Sequence, residues 1–139
     1  MKKWIGIVVA GVGVIGFSGS LREAFAVKPF FDEFVATYVK ADSNDAKDKA
    51  FAEAVEKVKC NVCHEGKLKK NRNEYGKALD ELLDRKTDAE DKEKIVAALR
   101  KVEARRVDPK DENSPTFGDR IKAGKLPVEP KTDTAASGS

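Results

Sequence analysis

The stretch Asp45-Ala46-Lys47-Asp48-Lys49-Ala50-Phe51-Ala52-Glu53-Ala54-Val55-Glu56-Lys57-Val58-Lys59-Cys60-Asn61-Val62-Cys63-His64 decides the reading of this chain. Before Cys60, apolar side chains recur at helical spacing: Phe51, Val55 and Val58 fall at i, i+4 and i+7, with Ala52 and Ala54 beside them. The spacing predicts a helix from about Asp45 to Lys59, with Ser43 or Asn44 as its cap. That helix runs directly into two cysteines separated by two residues and followed at once by a histidine.

Further helical patterns lie on both sides. Upstream, Lys28 to Ala41 carries Phe30, Phe31, Phe34, Val35 and Tyr38, with Pro29 suited to a first turn. Downstream, Glu65 to Asn71 is polar and basic and reads as a loop. A third helix is expected from about Arg72 to Asp84, on the stripe Tyr75, Ala78, Leu79, Leu82 and Leu83. A fourth is expected from about Asp88, capped by Thr87, to about Arg106, on Ile95, Val96, Leu99 and Val102. Its acidic residues gather at the start and its basic ones at the end, as the helix dipole favours. Prolines and glycines punctuate the chain from Val107 on, leaving room for a short helical turn at Phe117 to Ala123. No segment alternates like a strand for any length, so the expected fold class is all-α.

Cys60-Asn61-Val62-Cys63-His64 is the pattern of covalent haem c attachment. Each thiol adds across one vinyl group of the porphyrin, and the two intervening residues set the sulfurs at the separation of the vinyls. The adjacent His64 is then held beneath the ring with its imidazole toward iron. Two other chemistries use the same cysteine spacing. A redox dithiol belongs in a strand-then-helix context, and here a helix precedes the pair. A structural zinc site takes four ligands, whereas the chain has 2 cysteines and 1 histidine.

The N-terminus reads as an export signal over residues 1–26. Lys2 and Lys3 precede an uncharged apolar run from Trp4 to Phe17, and the segment ends in the small-x-small pattern Ala24-Phe25-Ala26. The run is short of the roughly 20 residues that cross a bilayer. An uncleaved anchor is the rival reading, and either places the bulk of the chain outside the cytoplasm, in the periplasm or otherwise exported. That compartment is where haem c is attached. Without residues 1–26 the chain keeps 24 basic and 23 acidic residues, which gives no bulk charge for nucleic acid. After cleavage no membrane association is expected. Thr132 to Ser139 is small and polar, and a disordered tail is expected over 131–139.

From about Ala46 to Arg106 the chain resembles a small monohaem cytochrome c of the class I type. The features that carry the resemblance are the helix entering Cys60-Asn61-Val62-Cys63-His64, the basic loop and the helices after it. The resemblance implies electron transfer and one haem packed in a helical shell, a domain placed here at 45–130 behind a helical extension at 27–44. It also marks a departure, because class I cytochromes place a methionine on the far side of the iron. Met1 is the single methionine here and lies in the signal, and no second histidine exists. Loss of that ligand implies a lower potential or an open iron site.

Several fillers of the sixth position stay open: Tyr75, one of Lys67, Lys69 and Lys70, with Asn71 and Asn73 also near in sequence, a ligand from a partner, or none. Tyr75 is assigned to the cofactor site, packing on the porphyrin, bonding a propionate or ligating iron. Lys57, Lys59, Lys67, Lys69, Lys70 and Arg72 flank the attachment site as a docking ring for an acidic redox partner or as ordinary solvated surface. The aromatic face of Lys28 to Tyr38 is a candidate contact surface in a larger redox complex. No nucleophile arrangement is credible with the lone histidine committed to iron, so the expected role is an electron carrier rather than an enzyme. The alternative is a haem protein with an open distal site that binds a small gas or serves as a sensor or weak peroxidase.

Overall fold

The structure, a computed structural model, describes residues 28–131. The expected signal peptide, and the expected tail beyond Lys131, lie outside the described residues.

Among the described residues the fold is all-α, with five helices: α1 Lys28–Tyr38, α2 Ala46–Val58, α3 Glu74–Asp80, α4 Lys92–Glu103 and α5 Phe117–Lys122. A 3-10 turn, Lys59–Val62, continues α2 into the cysteine motif. Extended pairing is limited to two isolated bridges, His64 with Arg72 and Arg106 with Thr116. No helix among the described residues is long and apolar enough to cross a membrane.

Helix starts follow side-chain capping, and three of them correct the expected boundaries. Asp45 caps α2 by accepting from Lys47 N at 2.7 Å, in place of Ser43 or Asn44. Ser43 is occupied elsewhere, donating to Asp48 at 2.6 Å. Asn73 caps α3, which is shorter at both ends than the expected Arg72 to Asp84. The expected start of α4 at Asp88 moves to Lys92, with Asp91 as its cap. The reason lies in the intervening turn. The buried Asp88 carboxylate accepts from Asp84 N at 2.8 Å and Thr87 Oγ1 at 3.0 Å and pairs with Lys94 at 2.7 Å. Asp88 therefore closes the 84–88 turn on itself, and Thr87 donates to Asp88 rather than capping a helix. Thr116 and Asp119 form a reciprocal capping box at the start of α5.

The core gathers where α1, α3, α4 and α5 meet. Phe34 meets Tyr75 edge-on at 5.8 Å and lies tilted against Phe51 at 6.3 Å, and Tyr75 meets Phe117 edge-on at 5.2 Å. Ile95, Ala98, Leu99 and Val102 form the buried face of α4, so Ala98 takes the place expected of the half-buried Val96. The aromatic face of α1 turns inward: Phe34 is buried, and Phe30, Phe31, Val35 and Tyr38 pack against the same cluster. Each buried aromatic or branched side chain contributes about 1.5–3 kcal/mol. The exposed Lys92 pairs with the half-buried Glu33 at 3.2 Å and so ties α4 to α1.

The hydrogen bonds and the Lys94 ammonium hold the Asp88 carboxyl below its usual range. A depressed carboxyl contributes stability that is complete above its unfolded pKa and lost as pH falls through the folded one. Asp88→Asn should therefore lower the urea midpoint at pH 7. The gap from the parent protein should close as the buffer is taken below about pH 4, as paired urea titrations across that range would record.

Candidate functional site

The site begins where α2 stops. Lys59 adopts φ +47°, the sole positive value at a non-glycine residue among the described residues. That left-handed residue ends the helix, and its N–H returns to Val55 O. The chain then winds tightly, with Cys63 N and His64 N both donating to Cys60 O at 3.2 Å. The winding brings Cys60, Cys63 and His64 to the wall of one cleft.

Asn73 anchors this loop to α3. Its side-chain oxygen accepts from Gly76 N at 2.9 Å, and its amide donates to Val62 O at 2.9 Å and to Asn61 O at 3.4 Å. Its backbone N–H donates to Cys63 O at 3.1 Å. At 3% exposure the residue is inside the protein, so each of these polar groups is satisfied by protein alone. Gly76 lies directly against the same loop: a Cβ there would stand 2.0 Å from Cys63 O. Asn73 stands in the sequence only as a neighbour of the candidate sixth ligands, and Gly76 does not stand out there at all. An asparagine three residues before a glycine is a readable capping signal, but its second set of bonds, to residues 61–63, is tertiary.

His64 is largely buried and oriented. Its Nδ1 lies 3.3 Å from Asn71 O, which as a carbonyl accepts from the ring N–H. The neutral imidazole then carries its lone pair on Nε2, the form that binds a metal. Burial lowers the His64 pKa from 6.5, which favours the same neutral form. The 65–71 loop that supplies Asn71 is closed by Glu65 N donating to Asn71 O at 3.0 Å. Cys60 is exposed and Cys63 half-buried, both as free thiols. Enclosure of the Cys63 thiol pushes it up to about 12. No group of three His, Cys, Asp or Glu side chains among the described residues is arranged to hold a metal ion. Cys60, Cys63 and His64 thus share a wall without converging on one point, unlike the ligands of a tetrahedral zinc site.

The cleft has a volume of about 800 Å³, within the ~300–1,000 Å³ of cofactor sites. Apolar surface comes from Phe30 and Phe31 of α1 and from Leu79, Leu82 and Leu83. Around these stand the cations Lys69, Lys70, Arg72, Arg85, Lys86 and Lys94 and the carboxylates Asp80, Glu81, Asp84 and Asp88. The Phe30–Phe31 contribution was hidden in the sequence, because it depends on α1 folding back across α4. Of the flanking cations expected as a docking ring, Lys69, Lys70 and Arg72 line the cleft, whereas Lys57 and Lys59 border a separate shallow pocket beside α2.

Tyr75 is placed elsewhere. It is fully buried between Phe34 and Phe117, behind the motif, and does not line the cleft. Burial above all, with the Cys63, Tyr38 and Glu103 groups adding to it, raises its pKa, so the phenol stays neutral. Neither phenol makes a hydrogen bond of normal geometry. Arg100 covers the Tyr38 ring at 5.3 Å.

Comparison with models of known protein families, with curated proteins and with solved structures gave no match. The functional reading therefore rests on the residues and geometry of this chain alone.

Gly76 offers a direct test of the packing of α3 on the motif. Glycine to alanine inside a helix ordinarily stabilises by about 1 kcal/mol. Here the added methyl meets a backbone oxygen that cannot rotate away, and Gly76→Ala should instead cost roughly 2 kcal/mol. The sign of the change in denaturant midpoint decides the point.

Proposed function

We propose that the protein is an exported, single-haem c-type cytochrome that carries electrons. The proposal places the haem on Cys60 and Cys63 and its iron on His64. The observation that carries it is the His64 imidazole, fixed through Nδ1 by the Asn71 carbonyl beside two free thiols on one cleft wall. The sequence motif alone supplies the residue types; the oriented ring and the cleft are independent of the motif's spelling.

The residues present fit the group. A porphyrin is a flat apolar ring with two carboxylates on one edge. Leu79, Leu82 and Leu83, with Phe30 and Phe31, offer apolar surface, and the surrounding cations suit the carboxylates. The free thiols suit attachment: each S–H adds across a vinyl double bond, sulfur bonding to one carbon and hydrogen to the other, with no oxidant consumed. When bound, the haem supplies a one-electron couple at iron.

The chain's own residues then have distinct tasks. Cys60 and Cys63 tether the ring. His64 donates its Nε2 lone pair, and Asn71 holds that ring's tautomer and angle. Asn73 keeps residues 61–63 from moving relative to α3, so the tether and the ligand stay in register. Such rigidity serves electron transfer, which proceeds fastest when little rearranges between oxidation states. Leu79, Leu82 and Leu83 limit water at the ring and so help to set its potential. Acidic redox proteins are the proposed partners, met by Lys69, Lys70, Arg85 and Lys86 at the cleft edge. Export to the periplasm or an equivalent compartment belongs to the same proposal.

The test is a full-length protein expressed where haem c is attached, with visible spectra recorded on reduction and reoxidation. The parent should show a sharp, reversible haem c spectrum. Cys60→Ala with Cys63→Ala should abolish covalent colour, and His64→Ala should keep the tether but lose the proximal-ligand spectrum. A parent that cycles no electrons on a bound haem contradicts the proposal.

A further inference from the structure

We infer that the Arg72 guanidinium raises the reduction potential of the iron bound through His64, with Asp80 offsetting part of its effect. The inference rests on the haem reading above and assigns a potential-setting residue to that site.

Backbone pairing places Arg72. His64 and Arg72 form an isolated antiparallel bridge. The bonds that close it run from Asn73 N to Cys63 O at 3.1 Å and from Glu65 N to Asn71 O at 3.0 Å. Those bonds flank the two residues rather than join them, so His64 and Arg72 are a non-hydrogen-bonded pair. In such a pair the Cα atoms stand about 4.5 Å apart and the two side chains leave the same face. Both residues line the cleft. The guanidinium and the imidazole therefore rise side by side from one wall, although seven residues of loop separate them in the chain. α3 holds the far end of the arginine: its last residue, Asp80, pairs with Arg72 at 2.8 Å.

Arg72 differs from its fellow cations in the cleft. Lys69, Lys70, Arg85, Lys86 and Lys94 are exposed, whereas Arg72 is half-buried. Water and salt screen an exposed charge, and a partly buried one is screened much less. In the sequence Arg72 stands with the docking cations. Its bond to Asp80 and its burial leave it poorly placed for a partner and well placed to act inward. Its charge is also permanent, because a guanidinium does not lose its proton at working pH.

The sign of the effect follows from charge. Oxidation removes one electron from the iron and leaves one more positive charge at the site. A fixed cation on the wall that carries the iron ligand repels that charge, favours the reduced form and raises the potential. Asp80 acts the other way, and the two do not cancel. The Arg72 side chain is 31% exposed and that of Asp80 50%, so the carboxylate is the better screened of the two. Backbone pairing also sets Arg72, not Asp80, beside the imidazole. The cation therefore prevails at the iron.

The test is an equilibrium redox titration of the full-length holoprotein, followed optically, on the parent and on Arg72→Gln, Arg72→Lys and Asp80→Asn. The mass and the visible spectrum of each variant report whether the haem and the iron ligands are those of the parent. Arg72→Gln should lower the midpoint potential with the spectrum unchanged. Arg72→Lys, which keeps the charge, should recover most of that drop. Asp80→Asn should shift the potential upward, and it carries the test should Arg72→Gln fail to fold. An Arg72→Gln protein with the parent's spectrum and an unchanged or higher potential overturns this inference and leaves the haem reading standing. So does an Asp80→Asn protein whose potential is unchanged or lower, and so does a drop in Arg72→Gln that comes only with an altered spectrum, which would make Arg72 a structural support. A parent whose mass equals the bare polypeptide overturns the haem reading and this inference together.

Discussion

One side chain holds the cysteine loop to the rest of the molecule. Asn73 caps α3 through its oxygen and grips the carbonyls of Asn61 and Val62 through its amide, while its own N–H takes Cys63 O. Four bonds from one buried residue join the end of α2, the cysteine motif and α3 into a unit. Gly76 makes the contact possible by removing the one atom that would collide with Cys63 O. The placement of His64 follows. With residues 61–63 fixed on one side and Asn71 two residues before Asn73 on the other, the imidazole is held between a tight turn and a short bridge to Arg72. A buried donor or acceptor left unpaired costs about 1–3 kcal/mol. The bonds at Asn61, Val62, Cys63 and Asn71 therefore stabilise the loop in this form.

The stability of the chain is modest by composition. Aromatic residues make up 7% of it and charged ones 37%, so the core leans on a few rings around Tyr75 and on the face of α4. The core also carries a burden: the Tyr38 and Tyr75 hydroxyls are buried without a normal hydrogen bond. Burial together with the nearby Glu103 carboxylate raises the Tyr38 pKa, so the phenol stays neutral. A porphyrin in the cleft would add apolar contact at about 25 cal/mol per Å² of surface taken from water. On the account offered here the cofactor is part of the core as well as the working group.

Much of the fold was legible in the sequence because it is local. The stripes of α2 and α4, the apolar face of α1 (though not that it turns inward) and the short turn at Phe117 all follow from helical spacing. Helix boundaries were less legible, since several side chains compete for each cap. Asp45 prevailed over Ser43 because Ser43 is drawn to Asp48, and α4 starts late because Asp88 is consumed by its own turn. At the site, Cys60, Cys63 and His64 announced themselves by spacing, and the structure brings them to one wall. The roles of Asn71 and Asn73 did not, because one rests on the Asn71 carbonyl accepting from His64 and the other on Asn73 bonding the carbonyls of residues 61–63. Tyr75 looked like a cofactor residue by its proximity to the motif, yet α3 turns it toward Phe34 and Phe117.

The central claim is a covalent one and is open to a direct measurement. Intact-protein mass spectrometry of the exported full-length chain, followed by mapping of the peptide that contains residues 60–64, reads it without reference to spectra or activity. The account predicts a polypeptide heavier by one haem, with both sulfurs joined to it as thioethers. A polypeptide at its bare mass, with Cys60 and Cys63 as thiols or as a disulfide, would contradict it.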